Sequence, residues 1–236
     1  MTFLRSAIFN LFFFGVTAVM TLMPGIYLRL FAPDRTLDLA RVWARIVLGA
    51  ARVICGIRLE VSGLEHLAGD QPCLIASLHQ SAFDTIVWLT LVPRCCYVVK
   101  HELLRIPLFG ALLPITGMIA VDRSGGGAAL RALLREGERA KREGRQIIIF
   151  PEGTRGEPDK ILPLQPGVAA LAARTRLPVF PVVTDSGRCW SRRAFRKRAG
   201  KIHIRILTPI DPDIGREALM QRLTTAFRSP VENSVG

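Results

Sequence analysis

His79 and Asp84 stand five positions apart, and about 70 residues later the run Phe150-Pro151-Glu152-Gly153-Thr154-Arg155 follows an apolar stretch, Gln146-Ile147-Ile148-Ile149. An imidazole whose one nitrogen is held by a carboxylate has its other nitrogen free to take a proton. A glycine turn carrying a hydroxyl (Thr154) and a planar guanidinium (Arg155) suits a phosphate. Glu152 can orient that arginine or bind a substrate hydroxyl. Together the two clusters suit chemistry on a phosphorylated hydroxyl compound.

The spacing alone has a second explanation. Ser81-Ala82-Phe83-Asp84 matches a capping box, in which Asp84 serves the start of a helix. The two roles are compatible, because a carboxylate has two oxygens and several lone pairs. On one continuous helix a five-residue step would separate His79 from Asp84, so the pair requires His79 in the loop and Asp84 in the first turn. The other histidines are weaker candidates: His66 lies in a polar turn, His101 stands between Lys100 and Glu102, and His203 alternates with Ile202 and Ile204, facing away from the apolar side. Arg123 ends an apolar run and precedes Ser124-Gly125-Gly126-Gly127. Those glycines either let backbone amides approach an anion or form a flexible connection, and Arg123 itself is the better phosphate ligand.

These residues need a scaffold that brings them together. Strands are expected over 57–61, 73–78, 95–99, 118–122, 146–150, 179–184 and 202–207. Helices are expected over 81–91, 103–113, 128–143, 167–174 and 216–227. Continuously apolar strands separated by helices predict an α/β fold with a mostly parallel central sheet flanked by helices. Each polar cluster follows the carboxyl end of an expected strand: His79 after 73–78, Arg123 after 118–122, Glu152 and Arg155 after 146–150. In a parallel sheet those ends share one edge, where open α/β folds bind ligands.

Ahead of this unit, Ser6 to Leu28 is a run without a formal charge between Arg5 and Arg29. As a helix it is roughly 35 Å long, enough to cross a hydrocarbon core, with Pro24 and Gly25 placed to kink or end it. A signal peptide is the main competing reading, and the weaker one, since the apolar run is too long, one basic residue precedes it and a second membrane-suited segment follows. A second helix over 37–55 carries Arg41, Arg45 and Arg52 within about 40° of one another, as in a helix lying at a membrane interface; the alternative is an amphipathic helix packed on the soluble unit. The expected division is therefore 1–56 membrane-associated two-helix segment, 57–228 catalytic unit, and 229–236 disordered tail. The net charge is +13, and all but five of the 32 basic residues are arginine. Beside an apolar anchor, an anionic membrane surface is the simplest partner, at about 1 kcal/mol per basic residue near the surface, and no nucleic-acid partner is expected. The segment from Arg188 to Arg198 is basic with Trp190 and Phe195 interleaved; it reads either as a solvated loop or as a contact for lipid or a phosphate-bearing donor. Five cysteines without metal-ligand or CxxC spacing read as reduced thiols, and no metal or cofactor is expected.

In order and spacing these motifs resemble the lysophosphatidic acid acyltransferase (1-acyl-glycerol-3-phosphate acyltransferase) family of the glycerolipid acyltransferases. The resemblance runs over about 64–209. It rests on His79 and Asp84 as HxxxxD, Lys100-His101-Glu102-Leu103 with Pro107 and Gly110, Gly117 to Arg123, Phe150 to Arg155 as FPEGTR, and Leu177 to Val182. It implies His79 and Asp84 as catalytic residues and Arg123, Glu152, Gly153, Thr154 and Arg155 as substrate-binding residues. It also implies a lysophospholipid acceptor acylated from acyl-CoA or acyl-carrier protein, at the cytoplasmic face of the inner membrane. The chain has Leu78 where the family often has Asn, and Gln165-Pro166-Gly167 where it often has a Lys-bearing pattern. These departures leave glycerol-3-phosphate or an amino-acid lyso-lipid open as acceptor. A non-catalytic lipid-binding protein on the same fold is the alternative from another class.

Overall fold

The computed structural model describes residues 2–67, 69–107, 109–122, 125–192 and 194–231. Helix α1, Thr2–Met20, passes through a π-type stretch, Thr21–Gly25, into α2, Ile26–Phe31. The hydroxyls that would be costly in so apolar a helix bond back along it: Ser6 to Thr2 O (2.7 Å), Thr17 to Phe13 O (2.6 Å) and Thr21 to Thr17 O (2.7 Å). Pro24, expected to kink or end the helix, instead lies inside the π-type stretch and the helix continues beyond it. A wider turn accommodates a residue that lacks an N–H and crowds the preceding turn. A 3₁₀ turn leads into α3, Thr36–Cys55, which buries Ala44, Val47, Ala51 and Cys55 on one side and exposes Val42, Ile46 and Val53 elsewhere.

The rest of the chain alternates β1 (Ile57–Ser62), β2 (Cys73–Ser77), α4 (Asp84–Leu91), β3 (Cys95–Lys100), α5 (Phe109–Ile115), β4 (Ile119–Val121), α6 (Gly126–Arg142), β5 (Gln146–Ile149), α7 (Gly167–Thr175), β6 (Val179–Thr184), β7 (Gly200–Ile206) and α8 (Arg216–Phe227). The expected helix over 103–113 is shorter than the sequence pattern implies. A 3₁₀ turn, His101–Arg105, comes first and α5 starts only at Phe109, since Pro107 interrupts the run.

The seven strands lie in the order β1-β7-β6-β2-β5-β3-β4. All pairings are parallel except β6 with β7, so β1 and β7 run against the other five. The sheet is covered on both faces. Ile75, Tyr97, Ile148 and Val182 join Phe9, Ala44, Val47 and Trp88 in one core, while Leu74, Ala76, Ile147 and Ile149 join Leu133, Leu171 and Leu223 in the other. Alternating residues of each strand go to opposite cores, which is why the strands read as unbroken apolar runs. On the second face α6 and α7 approach closely at Gly137, where an added Cβ would lie 2.3 Å from Leu171 Cδ1. All five cysteines are free and buried, and burial pushes the Cys73 and Cys96 thiols up to about 12.

Candidate active site

Strands β2 and β5 are hydrogen-bonded neighbours running in the same direction, with Ala76 opposite Ile149. Their carboxyl ends therefore deliver His79 and the Phe150–Arg155 loop to one place. The amino-terminal end of α4 completes it with Asp84. Arg123, the remaining expected site residue, lies outside the described residues, although β4, which it follows, runs parallel to these strands.

Asp84 meets the imidazole and reaches back to Ser81 N, but Ser81 Oγ takes Phe83 N rather than Asp84 N, so the capping box is half formed. Its Oδ2 accepts hydrogen bonds from the backbone N–H of Gln80 and of Ser81 (2.8 Å each) and stands 3.1 Å from His79 Nδ1. Ser81 Oγ in turn accepts from Phe83 N (3.1 Å). The cap thus pulls the loop back over the helix start, which is what lets a residue five positions earlier meet the carboxylate. An ionised carboxylate has no hydrogen to give, so Nδ1 carries it and Nε2 is left with a lone pair. His79 is 9% and Asp84 1% exposed. Asp84 Oδ1 is buried without a hydrogen-bond partner among the described residues. Burial pushes the Tyr97 hydroxyl well up, with Cys95 and the Asp84 charge acting in the same direction.

Glu152 holds the backbone of this loop. Its Oε2 accepts from His79 N (2.9 Å) and its Oε1 from Leu162 N (3.1 Å). Both oxygens are thus bonded to backbone N–H groups, and Arg155 is not among the groups bonded to them. Burial raises the Glu152 carboxyl above its ordinary range, opposed by these two donors and reinforced by Asp84. Gly153 has φ +71°, and its N–H bonds back to Phe150 O (3.0 Å); this tight turn favours glycine and swings the chain toward His79. Thr154 is exposed at the turn. Arg155 is half-buried, with Nε 3.4 Å from His79 Nε2. Desolvation lowers its pKa, with Asp84 raising it and Arg192 lowering it further.

Several contributors were not singled out from the sequence. The Phe150 ring stacks on the His79 imidazole, centroids 4.1 Å apart at 20°, and Tyr97 stacks behind it at 6.3 Å. Gly156 N donates to His79 O (2.7 Å), so the two loops are joined by backbone as well. Gln80 Oε1 accepts from Gly187 N (3.1 Å), and Arg192 donates to Arg155 O (3.1 Å), tying the basic segment to both loops. Gln80 and Phe150 stand inside the motifs and were legible as neighbours of the site. Arg192 lies in the basic segment that the sequence singled out, though not as a partner of Arg155; nothing in sequence spacing marks Tyr97 or Gly187.

His203 is not a bare surface group as the strand alternation implied. Its Nδ1 lies 2.9 Å from Asp185 Oδ2 and its Nε2 3.3 Å from Glu60 Oε2, so it ties β1 and β7 to the end of β6. A cavity of about 280 Å³ bordered by Leu64, Gln71, Cys73, Gln146 and Phe180 opens at the amino ends of the central strands, away from His79.

A family model described as Acyltransferase matches residues 58–185, more than half of the chain. The 1-acyl-sn-glycerol-3-phosphate acyltransferase of Pseudomonas aeruginosa is 37% identical over 162 residues, 69% of this chain and 63% of that protein. The human 1-acyl-sn-glycerol-3-phosphate acyltransferase alpha is 31% identical over 170 residues, 70% of this chain and 59% of that protein. Each match therefore spans less than two thirds of the curated relative. The crystal structure of the 1-acyl-sn-glycerophosphate (LPA) acyltransferase PlsC from Thermotoga maritima has the same fold, with TM-score 0.78 at 22% identity over 97% of this chain and 95% of that one. With the paired His79 and Asp84 and the FPEGTR loop inside the matched region, the chain belongs to the acyltransferase family.

Proposed function

We propose that this chain transfers a fatty acyl group from a thioester, acyl-CoA or acyl-carrier protein, to the free sn-2 hydroxyl of lysophosphatidic acid, giving phosphatidic acid. The observation that carries the reading is the His79 Nδ1 to Asp84 Oδ2 contact of 3.1 Å with Arg155 on the imidazole's other nitrogen, all at the end of β2 and β5. His79 Nε2 takes the hydroxyl proton as the hydroxyl oxygen attacks the thioester carbonyl. The C–S bond then breaks and the leaving thiolate takes the proton from the imidazolium. Asp84 keeps the hydrogen on Nδ1 and stabilises the cation that forms. Arg155 and Arg123 grip the acceptor phosphate. Glu152 and the turn at Gly153 and Thr154 hold the geometry, Glu152 through the His79 backbone. The stacked rings of Phe150 and Tyr97 exclude water from one face of the imidazole. The site works at the cytoplasmic face of the inner membrane, where both substrates are within reach of a membrane-associated α1.

The test is an assay of membranes carrying the protein with lysophosphatidic acid and each donor, the product identified by mass. His79→Ala is expected to lower transfer by about 10²–10⁴. Near-native turnover of a folded His79→Ala protein would reject the base.

A further inference from the structure

We infer that Arg155 is a specificity-determining residue: without acceptor its guanidinium occupies the lone pair of His79, and an acceptor phosphate frees the base by drawing the guanidinium away. The inference rests on the proposed general-base role of His79. The Nε of Arg155 lies 3.4 Å from His79 Nε2, and this is the hydrogen bond its guanidinium makes among the described residues. With Nδ1 engaged by Asp84 at 3.1 Å, Nε2 is the nitrogen left to accept a proton. A guanidinium there takes the lone pair, and its positive charge opposes formation of an imidazolium.

The backbone on each side is pinned while the side chain is not. Arg155 O accepts from Arg192 Nη1 (3.1 Å), and Gly156 N donates to His79 O (2.7 Å). Of the acidic residues flanking Arg155 in the chain, Glu152 has its two oxygens on His79 N and Leu162 N, and Glu157 is paired with Lys160 rather than with the guanidinium. A phosphate monoester offers what the imidazole lacks, a charged and bidentate partner for the planar fork. It binds the swung-out arginine better than the locked one, and that difference is what shifts the equilibrium.

The consequence is discrimination between an alcohol and water. With Nε2 free beside a bound thioester, water loses a proton to Nε2 as its oxygen forms a C–O bond to the carbonyl carbon. The C–S bond breaks, and the thiolate leaves with that proton, giving fatty acid and free thiol. The lock withholds this step until an acceptor is present.

The experiment measures free thiol released from acyl-CoA and from acyl-carrier protein by the full chain in vesicles without lysophosphatidic acid. Dodecyl phosphate, which carries the phosphate but no hydroxyl to acylate, is expected to raise hydrolysis about tenfold or more, the scale of one lost hydrogen bond to a charged group. No rise at concentrations where dodecyl phosphate competes with lysophosphatidic acid for transfer overturns the lock. Arg155→Ala is expected to hydrolyse thioester without any phosphate, to ignore dodecyl phosphate and to transfer poorly. Unchanged or slower hydrolysis with reduced transfer overturns it too. Adding His79→Ala to Arg155→Ala should return hydrolysis to its native level, and hydrolysis that persists assigns the rise to an opened pocket instead. The dodecyl phosphate arm needs no variant and stands if Arg155→Ala does not fold. Failure of the base itself is seen separately, as normal transfer by His79→Ala.

Discussion

Glu152 illustrates how much of the site is held by backbone. One carboxylate takes the N–H of His79 and of Leu162 on separate oxygens, 73 and 10 residues away in the chain. Glu152→Gln keeps the shape but has a single acceptor oxygen, so one buried N–H faces a donor, at a cost of about 1–3 kcal/mol. The pH dependence separates this from the cost of burying a charge. Burial raises the Glu152 carboxyl above its ordinary 4.5. A raised carboxyl contributes stability that is full below the unfolded value and is lost as pH rises through the folded one. The native protein has that loss and the variant does not. Thermal unfolding is therefore expected to show the variant furthest below native in acid, with the gap narrowing toward neutral pH. A gap that widens on the same titration contradicts this account.

The basic segment and α1 hold each other at the scale of elements. Trp190 is 6% exposed and meets the Phe9 ring edge-on at 5.2 Å and Phe13 at 6.0 Å. Lys197 is 5% exposed, lies 5.0 Å above the Trp190 ring and donates to Asn10 Oδ1 (2.6 Å), while Lys197 N bonds to Ser6 Oγ (2.9 Å). At these residues the segment is a packed bridge from the first helix to the His79 loop rather than a solvated loop. Its charge pattern hid this, since interleaved aromatics look the same whether they meet lipid or a neighbouring helix. Trp190→Ala is expected to destabilise by about 3–5 kcal/mol through the cavity it leaves. Leu11→Ala, at a residue 79% exposed, is expected to stay within about 0.5 kcal/mol. Unfolding of the two variants in the same detergent checks the contrast; equal effects would mean that Trp190 is not a packing anchor.

Across the whole molecule one surface stands apart. Thr2–Phe31 is long and apolar enough to cross a membrane, and only 6% of its most apolar window is buried. Leu11, Phe14, Met23, Tyr27, Leu30 and Phe31 are each at least 60% exposed, with Val53 of α3 at 84%. So large an apolar surface is far beyond the scattered exposed residues of a soluble protein. Leu11→Asp with Phe14→Asp is expected to reduce co-sedimentation with anionic vesicles severalfold without moving the unfolding temperature by more than a degree or so. Unchanged vesicle binding would place the membrane contact elsewhere. The opposite faces of these helices join the main core through Phe9, Ala44 and Val47. Deleting residues 1–55 would therefore uncover that core as well as remove the anchor.

How much of this was legible follows from the range of the forces involved. Apolar runs, their periods and the turn residues are local, so the α/β alternation, the long first helix and the two polar clusters could be read directly. The parallel direction of the central strands placed those clusters on one edge, because each follows the carboxyl end of its strand. Local pattern cannot state which strands are neighbours. Only packing set β5 beside β2, turned β7 against β6, and drew Tyr97, Gly187 and Arg192 around His79. Where Arg155 lies was likewise decided in three dimensions. Its motif announces a phosphate ligand, but its contact with the imidazole depends on two loops 76 residues apart being held together by backbone hydrogen bonds.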